Sequence, residues 1–419
     1  MAIALTEIRV WDGESDSLSK EPWTIRVEGD RIEALGPGAA LCVGAERVSL
    51  PGCTALPGLL DAHVHMVLDP AVVDPLKQLA PAREKRTRDM ETRAEEMLRA
   101  GITTARDLGG GEGLEIDLRD RIEAGECLGP RLLCAGQPVT SPRGHCHFWG
   151  GEASTDPEIT EVVQRQLARG VDWVKVMATG GVMSPGTKPG VAQFDLRQLA
   201  LIVREASAGG RSVAAHCHGT EGISLAARAG VCTVEHCSFA GSGGFGTNLE
   251  ESVARELAAH GTWVSPTVNV GWGRRLRQAA EDDGSKESRA AASFVSRMQA
   301  VFAALGEAGV RWIASTDAGI PGVPHDRLVA GLQAFAKFAD LQPVDVLRAA
   351  TSDSADALGI GSRVGRLRPG HVADILVVEG NPLSDLGALD SPRLVVSRGR
   401  RVGSPHEAGE PGVAERRSR

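Results

Sequence analysis

Apolar and polar positions along the chain fall into three blocks with different periods. Short apolar runs open the chain at 8–11, 23–27 and 31–35, with Gly and Asp between them, as in hairpins. The middle block alternates strand-like runs with longer amphipathic stretches. Its runs are 54–61, 101–107, 130–135, 171–178, 212–216, 232–236, 262–267 and 311–317. Amphipathic stretches such as 89–100 and 249–259 fill most of the gaps. The last block returns to strand character at 373–378 and 393–397, after a Gly/Pro turn at 365–370. Strand-like runs alternating with helical ones in this number predict an α/β fold, a (β/α)8 TIM barrel. The flanking β runs predict a small discontinuous β-sandwich domain built from both termini. The expected division is 1–56 and 366–403 for the small domain, 57–365 for the barrel and 404–419 for a flexible polar tail.

Composition narrows the class. A chain of 419 residues with 42% hydrophobic content can fill a large barrel and a small domain. The net charge of −8, with basic clustering confined to the Arg-rich tail, argues against a nucleic-acid partner. Residues 1–7 lack a basic n-region and a long apolar stretch, so no signal peptide is expected. No apolar run is long enough to span a bilayer, so no membrane partner is expected either. The eight cysteines form no CxxC pair, and the spacing of Cys232 and Cys237 fits no common zinc framework. Scattered thiols point to a reducing, cytoplasmic compartment.

Polar residues at strand ends carry the chemistry. His63-Val64-His65 follows the buried run 54–61. Histidines at i and i+2 on a strand face the same side and can hold one metal between them. His216, His236 and Asp317 each close a strand-like run of their own, on the face where such barrels work. One histidine at a strand end is more often a satisfied polar cap, but five such residues on one rim point to a metal. Imidazole and carboxylate donors suit Zn²⁺, with Mn²⁺, Co²⁺ or Fe²⁺ as alternatives. Lys175 lies between Val174 and Val176 in an apolar run. Burial there costs a charged ammonium dearly and lowers its pKa, leaving a nucleophilic amine.

These residues stand in longer matching stretches. Pro57 to His65, Val174 to Gly181, Ala215 to Gly219, Val234 to His236, Ser315 to Gly319 and Gly370 to Val377 together resemble the amidohydrolase superfamily over nearly the whole chain. Within it the chain is similar to the imidazolonepropionase-related group of binuclear metal peptidases and ochratoxin-cleaving amidases. The resemblance implies two divalent metals, zinc by preference. His63, His65 and Asp317 would hold the more buried one, and His216 and His236 the other. Lys175, carbamylated, would bridge them, and Asp317 would shuttle the proton. His218 shares a face with His216 and competes with it for the ligand role or lines the substrate pocket. Gly219 stands where mononuclear deaminases of the superfamily carry a proton-shuttling Glu, which argues against that chemistry.

The implied activity is hydrolysis of an amide bond in a dipeptide or N-acyl amino acid, with carbamate, phenylurea or lactone cleavage as rivals. A non-enzymatic scaffold of the hydantoinase-like kind is disfavoured, since the full ligand set is present. The loop 141–151 resembles the substrate loop of the peptidase group. His145 is the first choice for a substrate contact and Arg143 for a carboxylate clamp, with His325 a further rim residue. Assembly into a homo-oligomer is expected. The Gly-rich stretches 109–113 and 238–246 lack the endings of dinucleotide and phosphate loops.

Overall fold

The computed structural model describes residues 2–403; the tail expected over 404–419 lies outside them. Strands from both termini share one sheet. They are β1 (Ile3–Val10), β2 (Trp23–Glu28), β3 (Arg31–Gly36), β4 (Glu46–Ser49) and β5 (Cys53–Pro57). The middle of the chain holds β6 (Leu59–Val64), β7 (Ile102–Asp107), β8 (Arg131–Cys134), β9 (Trp173–Met177), β10 (Ser212–Gly219), β11 (Thr233–Ala240) and β12 (Trp263–Ser265). The chain ends on β13 (Ile375–Glu379), β14 (Pro392–Ser397) and β15 (Arg400–Val402). The terminal sheet runs β15-β14-β13-β5-β1-β2-β3, with β4 beside β1. Its two arms meet in one apolar core: Ile25 and Ile32 from one side join Ile375, Val377 and Val396 from the other.

The single strand expected over 54–61 is two strands. Cys53–Pro57 pairs antiparallel with β13, whereas Leu59–Val64 pairs parallel with β7. Gly58 is the switch. Its N–H donates to Asp374 O, and a Cβ there would lie 2.2 Å from Thr103 Oγ1. Only a residue without a side chain lets the backbone cross between the sheets at this point.

The middle strands are all parallel and form two sheets, β6-β7-β8 and β12-β11-β10-β9. Their ladders do not join into a closed barrel. Single segments lie in the gaps instead. Val139 N donates to Lys175 O and Met177 N to Val139 O, beside β9. The eighth run, 311–317, forms no ladder, although it touches both neighbours. Ile313 N donates to Val264 O of β12, and Ala62 N of β6 donates to Ala314 O. Polar side chains at its end make further bonds. Asp61 takes the Thr316 N–H, Ser315 Oγ takes the Thr267 N–H, and Asp317 turns left-handed with φ 62°. Helices follow most middle strands, starting with Arg83–Arg99 after β6. The helix Asp156–Ala168 begins on a capping box between Thr155 and Glu158, and Leu196–Ala208 on one between Asp195 and Gln198. No helix among the described residues is long and apolar enough to cross a membrane.

Candidate metal centre

At the C-terminal ends of the middle strands, the side chains of three residues converge on one point. His63 Nε2 and His65 Nε2 lie 3.3 Å apart. Asp317 Oδ1 is 3.4 Å from each of them. Donor atoms about 2.0–2.1 Å from a tetrahedral metal lie roughly 3.3–3.4 Å from one another. The triangle has the size of one face of such a coordination sphere. A second cluster adjoins it: His216, His218 and His236 place one nitrogen each within 4.8 Å of the others. His236 also falls within that span of His63 and Asp317, so the clusters are continuous.

Each imidazole has its other nitrogen held. Glu235 Oε2 takes the His63 Nδ1 proton at 2.9 Å, and Gly109 O that of His65 Nδ1 at 2.9 Å. Gly180 O lies 3.1 Å from His216 Nε2. His218 Nδ1 bonds Ser238 Oγ and His236 Nδ1 bonds Thr267 Oγ1, both at 2.8 Å. Partners of this kind fix ring orientation and leave the opposite nitrogen as a lone-pair donor, as metal-binding histidines require. His216 and His218 are both equipped in this way. Burial keeps four of these rings neutral as well. It draws His63 and His218 down to about 4 and His216 and His236 well below the ordinary histidine value, with neighbouring cations adding to the effect.

Backbone irregularity aims two of these groups. Glu235 and His236 are consecutive, and a regular strand would send them to opposite faces. His236 and Cys237 are left-handed, with φ of 68° and 50°, and the β10–β11 register shifts just beyond. The alternation breaks, and both side chains reach the site. Left-handed non-glycine residues also occur at Cys146, Thr267 and Asp317, all lining the same cleft. Clustered strain of this kind is typical of functional sites.

Lys175 lines the same cleft, about 1% exposed, and its Nζ has no hydrogen-bond partner. Burial lowers its pKa to about 8, although Glu235 and Asp317 pull the other way. An orphaned buried amine is costly unless something binds it. Asp317 stays ionised: burial raises its pKa, but His63, His65 and Lys175 outweigh that and hold it at about 2.

Behind His63 runs a chain that the sequence did not single out. Arg106, fully buried on β7, donates to Glu235 Oε1 at 2.8 Å, to Ala62 O at 2.7 Å and to Thr233 Oγ1 at 3.0 Å. Its guanidinium lies 4.5 Å from the Trp173 ring centre. Burial alone would raise the Glu235 pKa, but Arg106 and His63 drive it far below the carboxylate range. The one available signal was an arginine inside a strand-like run, next to its closing Asp107.

The cleft is a cavity of about 240 Å³. His145 and His218 line it together with the metal-site residues. His145 stacks 4.4 Å from the His216 ring, its Nδ1 is unpartnered, and burial holds it neutral with a pKa of about 3. Two expected substrate contacts lie elsewhere. Arg143 is exposed on the outside of its loop, where its φ of 57° turns the chain and its N–H bonds Glu152. His325 sits behind the centre, buried, with Nε2 3.0 Å from the backbone oxygen of His65. It supports the ligand strand and does not border the cavity.

A parallel α/β scaffold with an added β-rich part, carrying a histidine–carboxylate cluster at the strand ends, defines a metal-dependent hydrolase. The chain belongs to the amidohydrolase family, whose match spans residues 54–402. It is 30% identical to the ochratoxinase of Aspergillus niger over 370 residues, covering 81% of this chain and 73% of that protein. It is 24% identical to the imidazolonepropionase of Chloroflexus aggregans, covering 90% of each. A crystal structure of a Xaa-Pro dipeptidase with bound methionine superposes with a TM-score of 0.82 at 25% identity, over 96% of this chain and all of that one. The chain is therefore an amidohydrolase of the peptidase and amidase group, acting on C–N bonds.

Proposed function

We propose that this centre holds two divalent metals, zinc by its donor chemistry, joined by a carbamylated Lys175, and cleaves an amide bond of a small-molecule substrate. The observation that carries the reading is the triangle of His63, His65 and Asp317, with sides of 3.3, 3.4 and 3.4 Å. The seven strands of the two sheets and the run 311–317 would then work as one eight-membered barrel around the site, with Val139 linking the end of β8 to β9. The orphaned Nζ of Lys175 fits carbamylation: the amine adds to carbon dioxide, releases a proton and becomes a carboxylate facing both clusters. His216 and His236, with His218 as rival or helper, would hold the second ion.

Bound divalent metals supply a nucleophilic water near neutral pH and polarise a carbonyl oxygen. The rest falls to the chain. Asp317 takes the proton from the attacking water and returns it to the leaving nitrogen, general base turned general acid. His145, with Nδ1 unpartnered beside the cavity, gives or takes a hydrogen bond with the substrate. Glu235, locked by Arg106, keeps His63 in the tautomer that presents Nε2. The Xaa-Pro dipeptidase, by its name, acts on a peptide bond, which favours an amide over a lactone here.

Elemental analysis of the purified protein tests this, with a hydrolysis screen before and after chelation. Two metal equivalents per chain, and activity that falls with chelation and returns with Zn²⁺, are expected. A stoichiometry near one with unmodified Lys175, or full activity without metal, would overturn the binuclear reading.

A further inference from the structure

We propose that the amide cleaved here is flanked by a neutral aromatic or apolar group rather than by a free carboxylate. This rests on the amide-hydrolase reading and assigns its substrate class. Trp149, Met183, Phe245, Pro266, Trp272 and Ile320 form the walls around the polar floor. Two of them abut the imidazoles directly. The Trp149 ring lies 5.2 Å from that of His65, and Phe245 stacks on His218 at 4.7 Å and 12°. A group held over the floor therefore meets two aromatic side chains next to the imidazoles. An apolar cavity of about 150 Å³ accepts a benzene ring. The roughly 240 Å³ available suits one ring beside the reacting amide.

Three guanidiniums near the cleft, those of Arg297, Arg93 and Arg106, are engaged elsewhere. Arg297 donates to Phe245 O and Ser293 Oγ, and so holds the Phe245 loop from behind. Arg93 donates to Met66 O. Arg106 is bound to Glu235 inside the fold, and Arg143 is exposed on its loop. Among the described residues no arginine lines the cavity, and its one lysine is Lys175 on the floor. A substrate carboxylate against Trp149 or Phe245 would lose its water and find no protein cation, which is strongly unfavourable. A neutral ring gains from the same burial.

Two matched pairs test the proposal on the zinc-loaded enzyme: hippurate against hippuramide, and N-acetylphenylalanine against N-acetylphenylalaninamide. Each pair shares its scissile bond and differs in one charge. Acyl release should favour the neutral member by about tenfold or more in kcat/KM. Phe245→Ala should lower that value through KM, with metal content unchanged. Asp317→Asn enzyme, titrated calorimetrically, should bind the neutral members more tightly. Preference for the acids, or equal rates, would overturn the proposal while leaving the amide-hydrolase reading intact. Tighter binding of the neutral members without turnover of either pair would uphold the pocket's preference and overturn that reading instead.

Discussion

Three side chains decide the chemistry through different properties. Lys175→Ala removes the proposed bridge, so metal content should fall and turnover drop by at least about a hundredfold. Formate or acetate should restore part of both, since either supplies a carboxylate to the vacated space. Normal metal content and rate in that variant, measured by elemental analysis and assay, would assign Lys175 a structural role only. Asp317→Asn keeps an oxygen donor but loses the proposed proton shuttle. It should retain much of its metal and lose about 10² to 10⁴ in kcat; wild-type kcat with full metal would require another base. Glu235→Gln takes the charge from the partner of His63 and leaves Arg106 unpaired in the interior. Metal affinity, read by competition with a chelator, should weaken about 10- to 100-fold. The ligand-type residues were legible in the sequence because each closes an apolar run. Arg106 and Glu235 were not, because a pair 129 positions apart is joined only by the fold. Arg143 and His325 were misplaced because a loop's direction depends on its turns, here a left-handed Arg143 and a His325 drawn in by the His65 carbonyl.

Elements were easier to place than their boundaries. Most of the expected strands appear within a few residues of their apolar runs, because burial on both faces leaves little choice of residue type. Two departures share a physical cause. The run 54–61 is continuous in hydrophobicity but not in partner, and periodicity cannot register a change of sheet. Gly58 marked the break, since glycine inside a strand often signals close backbone approach. Gly58→Ala would bring a Cβ to 2.2 Å from Thr103 Oγ1. The clash should cost about 1–3 kcal/mol and lower Tm by several degrees. Adding Thr103→Ala should recover much of the loss, and calorimetry of the single and double variants would show it. An unchanged Tm in Gly58→Ala would mean that the two sheets can shift apart there. The run 311–317 departs for the opposite reason. Its apolar half satisfies the pattern of a strand, but the Thr316 N–H is given to the Asp61 carboxylate, and the Ser315 and Thr316 hydroxyls take the N–H groups of Thr267 and Ala318. The chemistry at its end competes with the ladder for the same N–H groups.

At the scale of the whole molecule, the site's burial sets a stability that depends on pH. His63, His145, His218 and His325 are held at about 4, 3, 4 and 3, and His216 and His236 well below the ordinary histidine value, all chiefly by desolvation. Unfolded, each would titrate near 6.5. Between those values the unfolded chain binds protons that the folded one refuses. Stability from these groups is therefore complete above about 6.5 and is lost as the pH falls toward 4. Buried carboxyls work in the opposite direction. Asp61 is raised to about 7 and Glu115 to about 8 by desolvation, and Asp107 is raised as well. Folded, they keep protons that the unfolded chain releases, so their contribution is full below about 4 and is lost as the pH rises through their folded values. In the window from about 4 to 6.5 the histidines outnumber the carboxyls, and the balance follows the histidines. Metal-free protein should therefore lose thermal stability as it is acidified below about 6.5, and the loss should continue below about 4, because His145 and His325 stay neutral in the fold until about 3 while the carboxyls no longer compensate. Zn²⁺ should raise Tm most near neutral pH and progressively less in acid, because protons compete for the same nitrogens. Scanning calorimetry of the apo and zinc-loaded forms across this range checks both statements. An apo Tm that is flat or rises on acidification would mean that the carboxyls, and not the imidazoles, dominate the buried charge.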